Sequence, residues 1–268
     1  MAIVTLDSAL AGMQNPKGFF KNVSGTLVAG RPHSFWTMGG IPYAGTSTAG
    51  LTGEVLNSST SGQLAFTNPT SGNTYLARFH GQASQAGTLL LCDRLWQNSG
   101  IVATTTTEQT FTNSLQIPAR DDNGTVSGDG VYAGVEVLTQ TSTNAPTLTL
   151  KYTNSLGTAG QTSTSLIPTV ATSIVGTFYT MGLAAGDIGI QKAQSLTIGT
   201  TWTAGTLGVV LYRVLARVEL TGANVPGAID CLTSGFTRLY NNTVPFLLFI
   251  PNTTTTSNIS GQVIYTQG

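Results

Sequence analysis

Apolar and polar residues alternate through the clearest stretch of this chain, GVVLYRVLARVEL at 208–220. Val210, Tyr212, Val214, Ala216, Val218 and Leu220 fall in one row, and Val209, Leu211, Arg213, Leu215, Arg217 and Glu219 in the other. On a two-residue period every even position is apolar, whereas a helix would scatter the Val residues around its circumference. The β-branched content suits a pleated surface, and neither Pro nor an internal Gly interrupts the run after Gly208. The pattern predicts a strand with one dry face and one mixed face that carries Arg213, Arg217 and Glu219.

Shorter runs of the same kind arrive steadily from Thr74 onward. They span Tyr75 to Phe79, Thr88 to Leu95, Thr110 to Ile117, Val131 to Leu138, Thr147 to Thr153, Thr177 to Met181, Ser195 to Ile198, Leu207 to Leu220, Phe246 to Ile250 and Gln262 to Thr266. No amphipathic helical pattern separates them, so parallel βαβ units are disfavoured. The prediction is an all-β fold, an antiparallel β-sandwich or jelly-roll-like domain over residues 71–268. Asp122-Asn123-Gly124 and Ser127-Gly128-Asp129-Gly130 supply residues that tolerate positive φ between two strands.

Residues 1–70 read differently. Apolar side chains come in isolated clusters, Phe19-Phe20 and Phe35-Trp36, among Gly, Ser, Thr and Ala. Rings without a regular scaffold must be buried against something, either the main domain or a neighbouring subunit. The expectation is an extended, mostly irregular N-terminal arm that docks between subunits, with an irregular first β layer of the same domain as the alternative. An arm of this kind would be mobile when free, and removing residues 1–40 would leave the sandwich folded.

Composition sharpens the picture. Charged residues make up only 8% of the 268-residue chain, against about 25% in an average globular protein. The hydrophobic fraction of 40% supports a real core. Eleven Lys and Arg balance eleven Asp and Glu. The chain therefore lacks the basic footprint of a nucleic-acid binder. A neutral, weakly charged surface protects a lone monomer poorly, which predicts an assembly component. Residues 1 onward show no signal-peptide pattern and no run is long enough for a helical membrane span, so folding in the cytosol without a membrane partner is expected. The N-x-S/T sequons at Asn22, Asn57, Asn123, Asn241, Asn252 and Asn258 then carry little meaning.

Candidate chemistry is sparse. Cys92 and Cys231 lie far apart without metal-like or redox-like spacing, and both are expected as free, buried thiols. His33 and His80 have no second ligand nearby in sequence. The cluster Asp121-Asp122-Asn123-Gly124 with Asp129 could offer oxygen ligands to a cation. However, the twelfth position from Asp121 is Tyr132, where a calcium loop needs Glu, so a polar connection is the reading. Cys92 sits in an alternating run without a base to activate it. Asp93, Glu108, Asp121 and Glu136 could supply an acid–base pair only if the fold gathered them. Neither a phosphate-binding loop nor a nucleophile elbow is present. No enzyme activity, cofactor or metal is expected.

The segments MAIVTLDSALAGMQNPKGFF, DRLWQNSGIVATTTTEQTFTNSLQIP and DDNGTVSGDGVYAGVEV, together with the low charge and abundant Thr, Gly and Asn, resemble the virion structural proteins of tailed bacteriophages, especially capsid decoration or cement proteins. The resemblance implies a protein made in the host cytoplasm that binds the major capsid protein on the capsid surface, commonly as a homotrimer. It transfers no catalytic residue. Phe19, Phe20, Phe35, Trp36, Arg213, Arg217 and Glu219 are the candidate intersubunit contacts, Arg being well suited to planar pairing across a boundary. A solvated strand face is the other reading of the three charges. A tail, baseplate or head-fibre protein that binds a receptor or glycan is an alternative, with Trp96, Gln97 and Asn98 as its neatest candidate site. A jelly-roll coat protein is a further one, disfavoured because residues 1–31 contain only Lys17, Lys21 and Arg31 as basic residues.

Overall fold

Alternation becomes strand wherever one row of side chains can be buried, and this chain does so almost throughout. The computed structural model describes residues 3–23, 25–113 and 115–268. A short helix, α1 (Leu6–Ala11), precedes β1 (Lys17–Asn22), β2 (His33–Ser34), β3 (Gly40–Ile41), β4 (Glu54–Val55), β5 (Thr74–Ala83) and β6 (Gly87–Gln97). Next come β7 (Ile101–Val102), β8 (Gln109–Thr110), β9 (Val131–Ser142), β10 (Leu148–Asn154), β11 (Gln161–Thr164), β12 (Phe178–Thr180) and β13 (Ile190–Ile198). The chain continues with β14 (Ala204–Leu220), β15 (Gly227–Asp230), a single turn α2 (Cys231–Ser234), β16 (Arg238–Leu239), β17 (Pro245–Pro251) and β18 (Asn258–Gln267).

The described strands form three sheets with antiparallel pairing. An eight-stranded sheet runs β12-β9-β14-β6-β17-β2, with β4 added on β6 and β7 on β14. A six-stranded sheet runs β15-β5-β18-β1-β3, with β16 added on β5, and a four-stranded sheet runs β11-β10-β13-β8. The fold is all-β and sandwich-like, as the alternation predicts.

The long strands β6 and β14 hold the layers together. At one end Leu95, Trp96, Val209 and Leu211 share a core with Leu150, Tyr152, Leu196 and Ile198 of the four-stranded sheet. At the other end Leu89, Leu91, Val218 and Leu220 share a second core with Phe19, Phe79, Val263 and Tyr265 of the six-stranded sheet. The side chains between these, Cys92, Val210 and Tyr212, join Trp36, Phe178, Phe246 and Leu248 in a third cluster. Both faces of the middle of β14 are therefore buried, and the sheet needs a cover on each.

That requirement corrects the expected arm. Phe19, Phe35 and Trp36 are 3%, 1% and 1% exposed within this one chain. β1 pairs with β18 from Lys17↔Val263 to Asn22↔Asn258, and Leu27, Leu64 and Phe66 join the same core as Phe19. Leu27, Leu64, Phe66 and Leu76 share one core across residue 70, so the first-layer alternative describes this segment better than an arm that docks between subunits.

Two other expectations change. The dry row of β14 is interrupted: register shifts between Val214 and Ala216, leaving Leu215 as an extra residue. This β-bulge swaps the rows, so Val214 is exposed while Leu215, Val218 and Leu220 are buried. Of the run Thr110 to Ile117, which includes Ser114 outside the described residues, only Thr110 lies in a strand, and β8 pairs with β13. The 121–130 turns therefore close no hairpin with β9. The strands β1, β11 and β15 and the helix α1 were not apparent from alternation. α1 does carry a capping signal, Thr5 Oγ1 accepting the Ser8 N–H and Ser8 Oγ accepting the Thr5 N–H.

Candidate functional site

Four of the six charged residues on β6, β9 and β14, namely Asp93, Arg94, Glu136 and Arg213, are buried. Arg94 on β6 and Glu136 on β9 are fully buried and meet at 2.6 Å. Arg94 Nε also donates to Gln97 Oε1 at 2.7 Å, and its guanidinium lies 4.8 Å from the Trp36 ring centroid. Burial lowers the Arg94 pKa and Glu136 opposes that shift; Arg remains charged all the same. Arg120 and Asp93, both buried, face each other at 3.4 Å, and the Val244 N–H donates to Asp93 Oδ1 at 2.8 Å. Truncating one partner of such a pair leaves an uncompensated charge, so these residues fix how the sheet edges and connections pack.

Arg213 belongs to this interior set. It is 3% exposed, its Nη2 donates to the Arg238 carbonyl at 3.0 Å, and its guanidinium stands 5.1 Å from the Tyr240 ring centroid. Asp122 Oδ1 lies 3.8 Å away. Arg213, with Phe19, Phe35 and Trp36, thus packs inside its own chain, which corrects its reading as an intersubunit contact. Arg217 and Glu219 remain on the surface, paired at 2.6 Å. Thr88 Oγ1 donates to the other Glu219 oxygen at 2.6 Å, and this bond, more than Arg217, holds the Glu219 carboxyl below its ordinary range. Phe20 also stays exposed, directly across from the exposed Ile41 of β3.

The remaining candidates separate. Asp121 is buried, which favours its neutral form, but it accepts hydrogen bonds from the backbone of Asn123, Thr125 and Gly128 and from the Thr125 hydroxyl, and these hold its carboxyl low. Both carboxylate oxygens thus organise the loop. Asp129 Oδ2 accepts from Asn123 Nδ2. Glu108 lies at the surface beside Lys151 and accepts from the hydroxyl of the buried Ser195, apart from the buried Asp93 and Glu136. His33 is on β2 and His80 on β5, in different sheets. Cys92 is buried, and burial with the adjacent Asp93 pushes its thiol up. Cys231 is free but only half-buried, which corrects the expectation of a buried thiol. Trp96, Gln97 and Asn98 are all buried, so they form no exposed glycan platform.

Two surface features were not legible in the sequence. The first is an apolar cleft of about 370 Å³ between the chain start and the α2 region, lined by Val4, Leu6, Tyr75, Leu232 and Phe236. The exposed Leu10 and Met13 continue the apolar character of the chain start. The second is an open groove of about 520 Å³ assembled from the segments 55–57, 72–73, 118–120 and 238–242. Its lining includes Asn57, Asn73, Arg120, Arg238, Tyr240 and Asn242 and no carboxylate side chain. Four chain segments distant in sequence build it, so no local motif marks it.

No protein-family model matches the chain. No curated protein is similar to it in sequence. Among solved structures it overlaps the infectious bursal disease virus VP2 subviral particle at 10% identity, covering 96% of this chain and 81% of that one, with a TM-score of 0.24. The infectious bursal disease virus Gt strain overlaps at 9% identity, over 95% and 80% of the two chains, with a TM-score of 0.20. Overlaps this loose assign no family, and the chain is described by its own geometry: an all-β sandwich with buried ion pairs and several exposed apolar side chains.

Proposed function

We propose that this chain is a non-enzymatic virion structural protein that binds the outside of a phage capsid, joins neighbouring major capsid subunits there and acts as a homotrimer. The observation that carries the reading is the pairing of buried charges with exposed apolar side chains. Asp93, Arg94, Arg120, Glu136 and Arg213 are buried, while Val4, Leu6, Leu10, Leu232 and Phe236 stand exposed around or beside an apolar cleft, and Phe20, Ile41 and Tyr43 are exposed elsewhere. A weakly charged chain that shows such side chains to water gains by covering them, and apolar patches of this kind mark protein interfaces. The proposal rests on this surface; the virus particles named above do not support it.

The contact surfaces assigned to this function are the α1/α2 cleft and the Phe20/Ile41 pair, with Arg217 and Glu219 as exposed polar contacts. The test mixes the purified protein with capsids that lack it and images the particles by electron microscopy. Regular density on the outer shell is expected, and Leu232→Asp with Phe20→Asp should remove it without unfolding the chain. Density confined to the tail or to one vertex would overturn the reading in favour of a tail or fibre component. Self-assembly into closed shells would favour a coat protein.

A further inference from the structure

The groove beside β16 offers hydrogen-bond donors from Asn57, Asn242 and Arg238, and this follows from how its amides are held. Asn57 Oδ1 already accepts from the Ser59 N–H at 2.9 Å and from Ser59 Oγ at 2.6 Å. Asn242 Oδ1 accepts from Ser58 Oγ at 2.7 Å and from Asn68 Nδ2 at 3.1 Å. With the carbonyl ends engaged, the NH₂ ends of both side chains remain for a ligand. Asn242 is held in this pose with a φ of 67°, a left-handed backbone unusual outside glycine, and its N–H donates to Asn68 Oδ1 at 3.0 Å.

Arg238 adds a cation. Its Nη2 donates to Asn73 Oδ1 at 2.6 Å, and its guanidinium lies 4.8 Å from the Tyr240 ring centroid, so the planar fork is oriented before any ligand arrives. Arg238 is an exposed residue, and among the described residues its Nη1 and Nε make no hydrogen bond. Arg120, 2% exposed, forms part of the lining, and its Nη1 has no hydrogen-bond partner among the described residues. The lining contains two arginines and no acid, and the volume falls within the range of small-ligand sites.

We propose that this groove binds an acceptor-rich, anionic saccharide, a sugar whose carboxylate pairs with Arg238 and whose ring and hydroxyl oxygens accept from Asn57 and Asn242. A carboxylate suits the guanidinium fork, and the amide donors require further acceptors spaced along the ligand, which a small inorganic anion lacks. The inference does not depend on where in a virion the protein sits.

The test is calorimetric titration of the whole protein with oligogalacturonate, with a neutral malto-oligosaccharide and inorganic phosphate as comparison probes. Saturable binding of oligogalacturonate is expected, about tenfold or more tighter than either comparison. Arg238→Gln should weaken it about tenfold and reduce its salt dependence. Asn242→Gly, which accepts the backbone pose, should weaken it severalfold. Thermal melts of both variants confirm folding. Absence of saturable binding below about 10 mM, equal affinity in the Arg238 variant, or phosphate binding as tight as the saccharide would each overturn the proposal.

Discussion

His33 shows how a single side chain sets a condition on the whole fold. It sits on β2, 2% exposed, against the edge of Phe35, and burial lowers its pKa to about 3 from an ordinary value near 6.5. The folded chain therefore holds a neutral imidazole. Above about pH 6.5 neither folded nor unfolded chain takes up the proton, and His33 adds no pH dependence. Below it the unfolded chain is protonated and the folded chain is not, so stability falls by about 1.4 kcal/mol per pH unit until the folded group titrates near pH 3. Denaturant melts at pH 7, 6, 5 and 4 should show this slope, and His33→Gln should flatten it. An unchanged slope would assign the acid response to other groups. In the sequence His33 stood out only as a histidine without a second ligand nearby; only its neighbours in the fold decide that it is buried.

At the scale of elements, β1 is the clearest case of a strand that alternation does not announce. Its sequence, Lys17-Gly18-Phe19-Phe20-Lys21-Asn22, has adjacent aromatics and little β-branching. The partner makes it a strand: Phe19 lies across from Gly261 of β18, which in turn lies across from Gly81 of β5. A Cβ on Gly261 would meet the Phe19 ring, and one on Gly81 would come within 3.2 Å of it, so the bare glycines form the seat of the ring. Lys21 is buried too, its Nζ donating to the Met38 carbonyl at 2.9 Å, and burial lowers its pKa to about 8. Removing residues 1–22 strips Phe19 from the core, at about 3–5 kcal/mol for the ring alone, and bares the edge of β18. The shortened protein should melt well below the full chain or aggregate, as circular dichroism and a solubility assay would report. Unchanged melting would restore the detachable arm.

The whole molecule is governed by where its few charges lie. Among the described residues the Arg94–Glu136 and Arg120–Asp93 pairs are interior, and the exposed partners of the other ion pairs are Lys151, Glu108, Arg217, Glu219 and Asp122, the last opposite the buried Arg213. Association through the surfaces assigned above is then apolar in origin and should resist screening. Sedimentation velocity is expected to show an oligomer whose proportion stays constant or rises between about 0.1 and 1 M NaCl, a range over which exposed charge contacts would be screened. Dissociation in high salt, or a 27.8 kDa monomer throughout, would count against the assembly reading.

The alternation along β5, β6, β9, β10, β14, β17 and β18 was enough to determine an all-β chain with antiparallel sheets, because a period of two buries one row of side chains whatever the partner strand is. Low charge set only the expectation of an assembly component. Tertiary structure alone decided the rest. Arg213 and Arg217 are four residues apart on one strand and look equivalent, yet the bulge at Leu215 and the approach of Tyr240 bury one and leave the other in water. Trp36 looked like an anchor for a partner because nothing near it in sequence could cover it; its cover, Phe246 and the Arg94 guanidinium, arrives from β17 and β6. The donor-lined groove is likewise built by four segments that meet only in the folded chain. Local pattern encodes which face of a strand is dry, whereas burial, pairing of charges and the shape of a site depend on which distant segment lies on that face.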